Sequence, residues 1–288
     1  MALDDREWRL IREESWDGPL NMALDEIAAE TAAEGSPRTV RVYQWDPSTL
    51  SLGYRQDEDT VAWDYCDREG ISVTRRPTGG GGIYHDRYGD ISYSIVAPAD
   101  ELPGDLMETY ELLCEPVFDA FERLGIDARF TDEQLPAIHQ PACYLRELHP
   151  AHDVVAGEDG RKISGNAQYR RKDAIIQHGS LKFDLDAERH LATFSNPETT
   201  SEEFRERVTT MNEQSGRLRD DRNSERRSRE QVGASREEAV EAVEQALAEW
   251  AEADEGGWTD AELSRARERA EAKFESEAWI RDREDPTE

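Results

Sequence analysis

Four consecutive glycines, at residues 79–82, constrain the fold of this chain more than any other feature of its sequence. Glycine loses more conformational entropy on folding than any other residue, so a run of four is disfavoured inside a helix or a strand. The run lies between two segments with the pattern of strands. Without Cβ atoms, its backbone can approach a ligand closely and direct N–H groups at an anion. The run therefore predicts a ligand-binding loop, with a flexible hairpin as the alternative.

The residues that flank this glycine loop add charge and hydrogen-bonding groups to the candidate site. Arg75 and Arg76 precede the loop and supply fixed positive charge, and Thr78 directly adjoins it. Tyr84 and His85 follow it. The segment is not a P-loop, because no Gly-Lys-Ser/Thr follows the glycines, and it does not match the dinucleotide-binding pattern.

A second candidate element is the segment Gly-Arg-Lys-Ile-Ser-Gly-Asn-Ala-Gln at residues 160–168. The chain contains four Lys against 31 Arg, so Lys162 stands out. Arginine cannot replace a compact ammonium that must fit beside a reacting carbonyl. Three of the lysines fall within residues 162–182, so a basic strand surface is the alternative. The small residues Gly165 and Ala167 favour a packed site.

Three cysteines, Cys66, Cys114 and Cys143, show no paired spacing, so we expect no disulfides. Cys114 falls on the apolar stripe of a predicted helix and Cys66 is flanked by acids, which predicts structural roles for both. Cys143 lies in an irregular segment, nineteen residues before Lys162. An ammonium nearby stabilises a thiolate and makes it a competent nucleophile. Cys143 is therefore a candidate nucleophile, with a structural role as the alternative.

The six histidines have no spacing typical of a metal site. His139, His149 and His152 cluster loosely in the sequence but form no HxxxH pair, so we predict no metal-binding residues. His178 precedes a Gly-Ser pair in a predicted strand. It is expected to be either a pocket residue or a histidine satisfied within the sheet.

The charge of the chain excludes two classes of partner. The chain carries 35 Lys and Arg against 65 Asp and Glu, a net charge of −30, and such a surface repels nucleic acids and anionic membranes. The N-terminus is acidic and no long apolar run exists, so we predict a soluble, cytoplasmic protein without a signal peptide or membrane span. Excess carboxylate with scarce lysine predicts a halophilic protein, with an ordinary acidic protein as the alternative.

Strands and helices do not strictly alternate along residues 1–196, which predicts a catalytic α+β core with a mixed, largely antiparallel sheet flanked by helices. Strands are expected at residues 39–43, 49–52, 71–74 and 90–96, with a three-stranded meander within 153–185 and a helix over 104–124. Residues 197–288 predict an acidic helical part that packs on the same domain. Residues 215–230 lack an apolar period and predict a flexible surface loop, or alternatively a basic docking arm.

Together these motifs resemble the lipoate–protein ligase and octanoyltransferase family, whose catalytic fold is shared with biotin–protein ligases. The matching segments are residues 21–25 (Asn-Met-Ala-Leu-Asp), 75–81 (Arg-Arg-Pro-Thr-Gly-Gly-Gly), 84–86 (Tyr-His-Asp), 162–167 (Lys-Ile-Ser-Gly-Asn-Ala) and 178–181 (His-Gly-Ser-Leu). The resemblance runs from about residue 8 to residue 282. It implies the biotin/lipoate protein ligase catalytic-domain fold, with an acyl chain in a tunnel beside the glycine loop.

The resemblance also implies roles for individual residues. Lys162 matches the family lysine that contacts the acyl carbonyl. Cys143 is placed as in the octanoyltransferase branch that forms a thioester on a cysteine, so Cys143 and Lys162 are the predicted catalytic residues. The predicted substrate-binding residues are Arg75, Arg76, Thr78, Gly79, Gly80, Gly81, Tyr84, His85, Asp153, Gly165 and His178.

Three functions are compatible with this resemblance. The first is transfer of an octanoyl or lipoyl group through a Cys143 thioester, without a cofactor, from a possible acyl-donor protein. The acceptor lysine would belong to a lipoyl domain of a 2-oxoacid dehydrogenase complex or to the glycine cleavage H protein. The second is ligation of lipoate with ATP and Mg²⁺ through a lipoyl-adenylate, in which Arg76 and the loop bind phosphate and Asp153 helps to hold magnesium. The third is a non-catalytic lipoyl-binding accessory protein, which the intact Arg76, glycine loop and Lys162 argue against.

Overall fold

The structure is a computed structural model that describes residues 7–150, 152–215 and 233–287. Its strands are β1 (Trp8–Trp16), β2 (Arg38–Trp45), β3 (Thr49–Leu52), β4 (Ser72–Arg75), β5 (Ile83–His85), β6 (Asp90–Pro98), β7 (Ala128–Phe130), β8 (Asp153–Ala156), β9 (Arg161–Arg170), β10 (Ala174–Lys182) and β11 (Asp254–Glu255). Its α-helices are α1 (Gly18–Ala33), α2 (Trp63–Glu69), α3 (Leu106–Arg123), α4 (Ala187–Ala192), α5 (Ser201–Arg207), α6 (described over residues 211–215), α7 (Arg236–Ala251) and α8 (Asp260–Arg269).

An eight-stranded sheet forms the centre of the described structure, in the order β11-β1-β2-β6-β10-β9-β8-β7. Strand β1 pairs in parallel with β2 and β11, and the other pairs are antiparallel. A smaller sheet, β4-β3-β5, contains one parallel and one antiparallel pair, and the glycine loop joins β4 to β5. This arrangement confirms the predicted α+β fold with a mixed, largely antiparallel sheet. The predicted meander is β8, β9 and β10.

Helix α1 contacts strands of both sheets, and almost all of its residues are buried. Its N-terminus is capped by Asp17, whose side chain accepts a hydrogen bond from the N–H of Leu20 at 2.8 Å. Because the helix is enclosed on most sides, its polar residues need partners within the protein. The Asn21 side chain donates to the carbonyls of Trp16 and Gln44, which fixes the helix against the strands that surround the site.

Most of the apolar stripe that the sequence predicts between residues 104 and 124 is buried on one face of helix α3. Cys114 and Val117 are buried on this face, and Pro116 is buried inside the helix. Leu106 and Met107, at the start of the stripe, are instead 47% and 40% exposed. They occupy the first turn of the helix.

The C-terminal helices begin at two capping boxes, each with a hydroxyl N-cap and a glutamate three residues later. Ser235 pairs in this way with Glu238, and Thr259 pairs with Glu262. Helix α7 packs on α3, β1 and β2. Its apolar side chains join the same cluster as those of the central strands, which ties this helix to the core. The division of the chain at residue 196 stays a prediction.

Two π-helical turns follow α8, at Ala270–Phe274 and Ala278–Asp282. The predicted loop or docking arm at residues 215–230 lies outside the described residues except at its first position. Among the described residues, no helix has both the length and the apolarity required to cross a membrane.

Candidate active site

A cavity of about 370 Å³ opens where the glycine loop faces strands β6, β9 and β10. Its volume falls within the range of small-molecule sites. The predicted site residues that line it are Arg76, Gly79, Gly80, His85, Cys143, Asp153, Lys162, Gly165 and His178. Apolar and aromatic side chains complete much of the wall, including Met22, Tyr43, Trp45, Ile83 and Tyr110. The lining therefore suits a ligand with an apolar chain and a polar end.

The main chain of Cys143 is held directly against the glycine loop. The N–H of Cys143 donates to the carbonyl of Gly82 at 2.9 Å, and the N–H of Gly82 donates to the carbonyl of Pro141 at 2.7 Å. A Cβ on Gly81 would lie 2.6 Å from that Pro141 oxygen, so the close approach of the two segments requires glycine there. The loop thus fixes the position of the candidate nucleophile. Cys143 is half-buried, whereas the other cysteines are buried.

Lys162 and Asp153 form a buried ion pair beside Cys143. The Nζ of Lys162 lies 2.7 Å from Oδ1 of Asp153 and donates to the carbonyl oxygen of Cys143 at 3.2 Å. Burial acts to lower the pKa of Lys162, but the negative charge of Asp153, with a smaller contribution from the neighbouring Cys143, raises it above its ordinary value. Burial acts in the opposite direction on Asp153, yet Lys162 and His152 hold the pKa of this carboxyl well below its usual range. The pair is therefore ionised at neutral pH.

Gly165 lies beside both the thiol and the ammonium. A Cβ at this position would lie 3.7 Å from Sγ of Cys143 and 3.7 Å from Nζ of Lys162. These are ordinary van der Waals contact distances, so the thiol and the ammonium both flank strand β9 at a residue without a side chain. The structure therefore brings the two predicted catalytic residues to a common point on strand β9.

Arg76 uses its guanidinium to shape the glycine loop. It donates to the carbonyls of Gly79 and Gly81 at 2.9 and 2.7 Å, and to the carbonyl of Ser51 at 2.8 Å. Within the described ranges, no hydrogen bond uses the N–H groups of Gly79 and Gly80. Because both of these glycines line the cavity, their N–H groups are available to a bound oxyanion.

Arg75, the neighbouring arginine, does not line the cavity. Its guanidinium is fully buried and donates to the carbonyls of Trp279 and Ile280 at the C-terminal π-helical turn. It also donates to the carbonyls of Gly53 and Tyr54. Burial is the main cause that lowers the pKa of Arg75, to about 10. Arg75 therefore links the small sheet to the C-terminal segment.

Thr78, Gly81 and Tyr84, also predicted to bind substrate, lie outside the cavity lining. Thr78 reaches the cavity indirectly, because its hydroxyl lies 2.8 Å from Nε2 of His178. The Tyr84 hydroxyl donates to Asp86 at 3.1 Å. His178 belongs to β10 and lines the cavity, and its role in substrate binding stays a prediction.

A family model for the lipoyl protein ligase A/B catalytic domain matches residues 17–251. The chain belongs to this family. The resemblance seen in the sequence motifs is thereby confirmed.

Known family members match nearly the whole chain. The octanoyltransferase LipM of Kyrpidia tusciae is 34% identical over 288 residues, which cover 94% of this chain and 97% of that protein. The bipartite lipoate protein ligase of Thermoplasma acidophilum, described with its E2 lipoyl domain, is similar with a TM-score of 0.74, 26% identity and 96% coverage of each chain. A lipoate-protein ligase A bound with ATP is similar with a TM-score of 0.72, 27% identity and coverage of 95% of this chain and 98% of that one.

The sequence did not predict the buried hydrogen-bond network around His85, a lining residue of the cavity in this lipoyl ligase family member. His85 Nδ1 lies 2.6 Å from Oδ2 of Asp90, and His85 Nε2 lies 2.9 Å from the hydroxyl of Ser51. Asp90 also accepts a hydrogen bond from Lys182 at 3.1 Å. Burial lowers the pKa of His85 to about 4, so the imidazole is neutral at physiological pH. The scarcity of lysine, which pointed to Lys162, could also have pointed to Lys182.

Proposed function

We propose that this protein transfers an octanoyl or lipoyl group to a lysine of a lipoyl domain through a thioester on Cys143. The observation that carries the proposal is the convergence of the Cys143 sulfur and the Lys162 nitrogen on Gly165, where an added Cβ would lie 3.7 Å from each. The Kyrpidia tusciae relative is named an octanoyltransferase, and the Thermoplasma acidophilum ligase was described with an E2 lipoyl domain, which supports this reaction and this acceptor.

The proposed reaction has two acyl transfers that need no cofactor. In the first, the Cys143 thiolate attacks the carbonyl carbon of a thioester donor, the donor C–S bond breaks, and the donor thiolate leaves and takes up a proton. The acyl group is then bound to Cys143 as a thioester. In the second, the unprotonated amine of the acceptor lysine attacks this carbonyl and forms an amide. The bond to Cys143 breaks, the thiolate is restored, and the proton of the amine passes to solvent.

The charges around Gly165 favour both steps. Each step develops negative charge on the carbonyl oxygen, and preorganised donors stabilise such charge most effectively. The ammonium of Lys162 and the N–H groups of Gly79 and Gly80 are the donors at hand. The N–H of Cys143 is not among them, because it is bonded to Gly82.

We further propose that the donor is an acyl-carrying protein and that the glycine cleavage H protein is a second acceptor. For the environment, we propose a cytoplasmic, halophilic protein, on the basis of its net charge of −30. At about 1 M salt, the Debye length is about 3 Å, so self-repulsion of the carboxylates is screened. The urea midpoint measured in about 2 M KCl should exceed that in 0.1 M KCl. An unchanged midpoint would contradict the halophilic part of this proposal.

ATP-dependent lipoate ligation is the second candidate function. The unbonded N–H groups of Gly79 and Gly80 suit a phosphate, and the likeness to a ligase bound with ATP supports the same interpretation. Asp153, predicted to help hold magnesium, has both oxygens engaged, one by Lys162 and one by the N–H of His149. Among the described residues, no three His, Cys, Asp or Glu converge on a metal position. Asp153 would therefore have to exchange a partner for the magnesium of ATP.

One experiment separates these functions. The protein is incubated in molar salt with an apo lipoyl domain and either an octanoyl thioester without ATP, or lipoate with ATP and magnesium. Acyl transfer predicts product in the first mixture, at least about a thousandfold less with Cys143→Ser, and full activity with the matched control Cys66→Ala. An acyl-enzyme of increased mass should appear on Cys143 when the acceptor is left out.

Two other outcomes would contradict acyl transfer, and each supports one of the alternative functions. Product only with ATP, unaffected by Cys143→Ser, establishes the ligase. An unmodified acceptor in both mixtures leaves the accessory protein. Biotin with ATP is run as a substrate control, because biotin–protein ligases share the catalytic fold.

A further inference from the structure

The ring of Tyr144 lies within cation–π distance of the two buried lysines of the site. Its ring centre is 5.3 Å from Nζ of Lys162 and 4.8 Å from Nζ of Lys182. The side chain is fully buried, and its hydroxyl hydrogen-bonds to the carbonyl of Ser180 at 2.9 Å. This tyrosine directly follows Cys143 in the same helical turn, so its position and that of the thiol are coupled through one peptide unit.

Each lysine ammonium has its own carboxylate partner, and the ring of Tyr144 contacts both ammonium groups. Lys162 pairs with Asp153 at 2.7 Å and Lys182 pairs with Asp90 at 3.1 Å. An aromatic face attracts a cation, and this attraction is largest where both partners are removed from water. The ring of Tyr144 therefore attracts the ammonium of Lys162. Its contacts with Lys182 and Ser180 hold the ring in place.

We propose that Tyr144 is a positioning residue, whose aromatic ring holds the Lys162 ammonium at the Cys143 thiol. The Lys182–Asp90 pair acts through this ring, because Lys182 also contacts it. The kinetic part of this inference rests on the proposed acyl transfer. The reactivity of the Cys143 thiol, by contrast, can be measured without any acyl substrate.

The test weakens the attraction of the ring without changing its size. Tyr144 is replaced by Phe, and then by phenylalanines that carry one, two and three ring fluorines, since each fluorine withdraws electron density from the ring face. The readouts are the rate at which iodoacetamide alkylates Cys143 at about pH 7, and kcat and KM for acyl transfer. Cys66 and Cys114 are buried, and peptide mass spectrometry assigns the alkylated site.

We expect Tyr144→Phe to stay within about threefold of the wild type, because it keeps the ring. Each added fluorine should then lower both the alkylation rate and kcat by about twofold, with KM changed by less than twofold and the melting temperature unchanged. The same series at Tyr88, which is 66% exposed and distant in sequence from both lysines, is the matched control and should leave both rates constant.

Equal alkylation rates across the fluorine series would overturn the inference, and so would a loss in Tyr144→Phe as large as that in the trifluoro variant. Failure of the proposed function is distinguishable from either result. If neither the wild type nor any variant transfers an acyl group, the proposed acyl-transfer function is wrong. The alkylation series still decides whether the ring positions Lys162.

Discussion

Nζ of Lys162 lies 2.7 Å from Oδ1 of Asp153, and neither side chain is more than 3% exposed. Burial separates both charges from water, so each depends on the other for its ionised state. The same ammonium donates to the Cys143 carbonyl, which joins the ion pair to the main chain of the candidate nucleophile. Loss of the carboxylate should therefore affect both stability and reactivity.

Asp153→Asn should lower the free energy of unfolding by about 3–5 kcal/mol, because it leaves a buried ammonium without its counter-charge. We also expect kcat for acyl transfer to fall at least about tenfold, since burial acts to lower the pKa of Lys162 when Asp153 no longer opposes it. Urea denaturation and steady-state kinetics measure the two effects. The matched control is Asp173→Asn in the exposed pair with Arg171, which should cost at most about 1 kcal/mol. Equal costs for the two variants would contradict the role of burial.

Gly165→Ala should separate activity from stability. The added methyl group would lie at ordinary contact distance from the Cys143 sulfur and the Lys162 nitrogen, so the fold should accept it with a melting temperature within about 2 °C of the wild type. It would narrow the approach of the reacting carbonyl to the thiol and the ammonium, and kcat/KM should fall at least about tenfold. Gly104→Ala, which has open space around its position, is the matched control. Full activity in Gly165→Ala would mean that the carbonyl binds elsewhere.

Stability should fall between pH 6.5 and pH 4 because His85 is buried in its neutral form. Its pKa is about 4 in the folded protein and about 6.5 in an unfolded chain, so in this window the unfolded state binds a proton that the folded state does not. The stability from this group is therefore complete above pH 6.5 and declines as the pH falls. At pH 5 the loss from His85 should be about 2 kcal/mol.

His85→Gln should flatten this dependence of the urea midpoint on pH. His190, whose pKa burial also lowers, contributes a residual slope of the same sign. The buried carboxylates have their pKa values lowered, so they lose their contribution only at still lower pH. An identical slope in the wild type and His85→Gln would show that His85 is already protonated in the folded state.

Arg75→Lys should destabilise the protein without raising KM. Lysine cannot reproduce the fork of donors that reaches the carbonyls of Gly53, Tyr54, Trp279 and Ile280, so buried acceptors lose their partners. We expect the free energy of unfolding to fall by about 2–4 kcal/mol. A KM raised tenfold or more at unchanged stability would instead support the substrate-binding role that the sequence predicts.

Pairs of adjacent residues explain part of the difference between the predicted and the observed site. Side chains alternate along an extended chain, so only one of two neighbours can face a cavity on one side. Arg76 lines the cavity whereas Arg75 faces the C-terminal segment, and His85 lines it whereas Tyr84 does not. The sequence motif contains both members of each pair, and the side of the strand that each faces becomes evident only once the sheet is placed.

Contacts between residues far apart in the sequence explain why other residues of the site were not predicted. The fold was predictable from the pattern of strands. Cys143, Lys162 and Gly165 line the cavity as the local motifs predict, and their roles stay predictions. Lys182, Asp90 and Tyr144 meet only through the pairing of β10 with β6 and the packing of the 143–145 turn. No local spacing in the sequence encodes those contacts.

The glycine loop and Lys162 hold residue 143 through its backbone N–H and C=O groups, which every amino acid except proline possesses. The contacts that position residue 143 therefore do not depend on its side chain. A single codon change at this position could remove the thiol and leave the pocket intact.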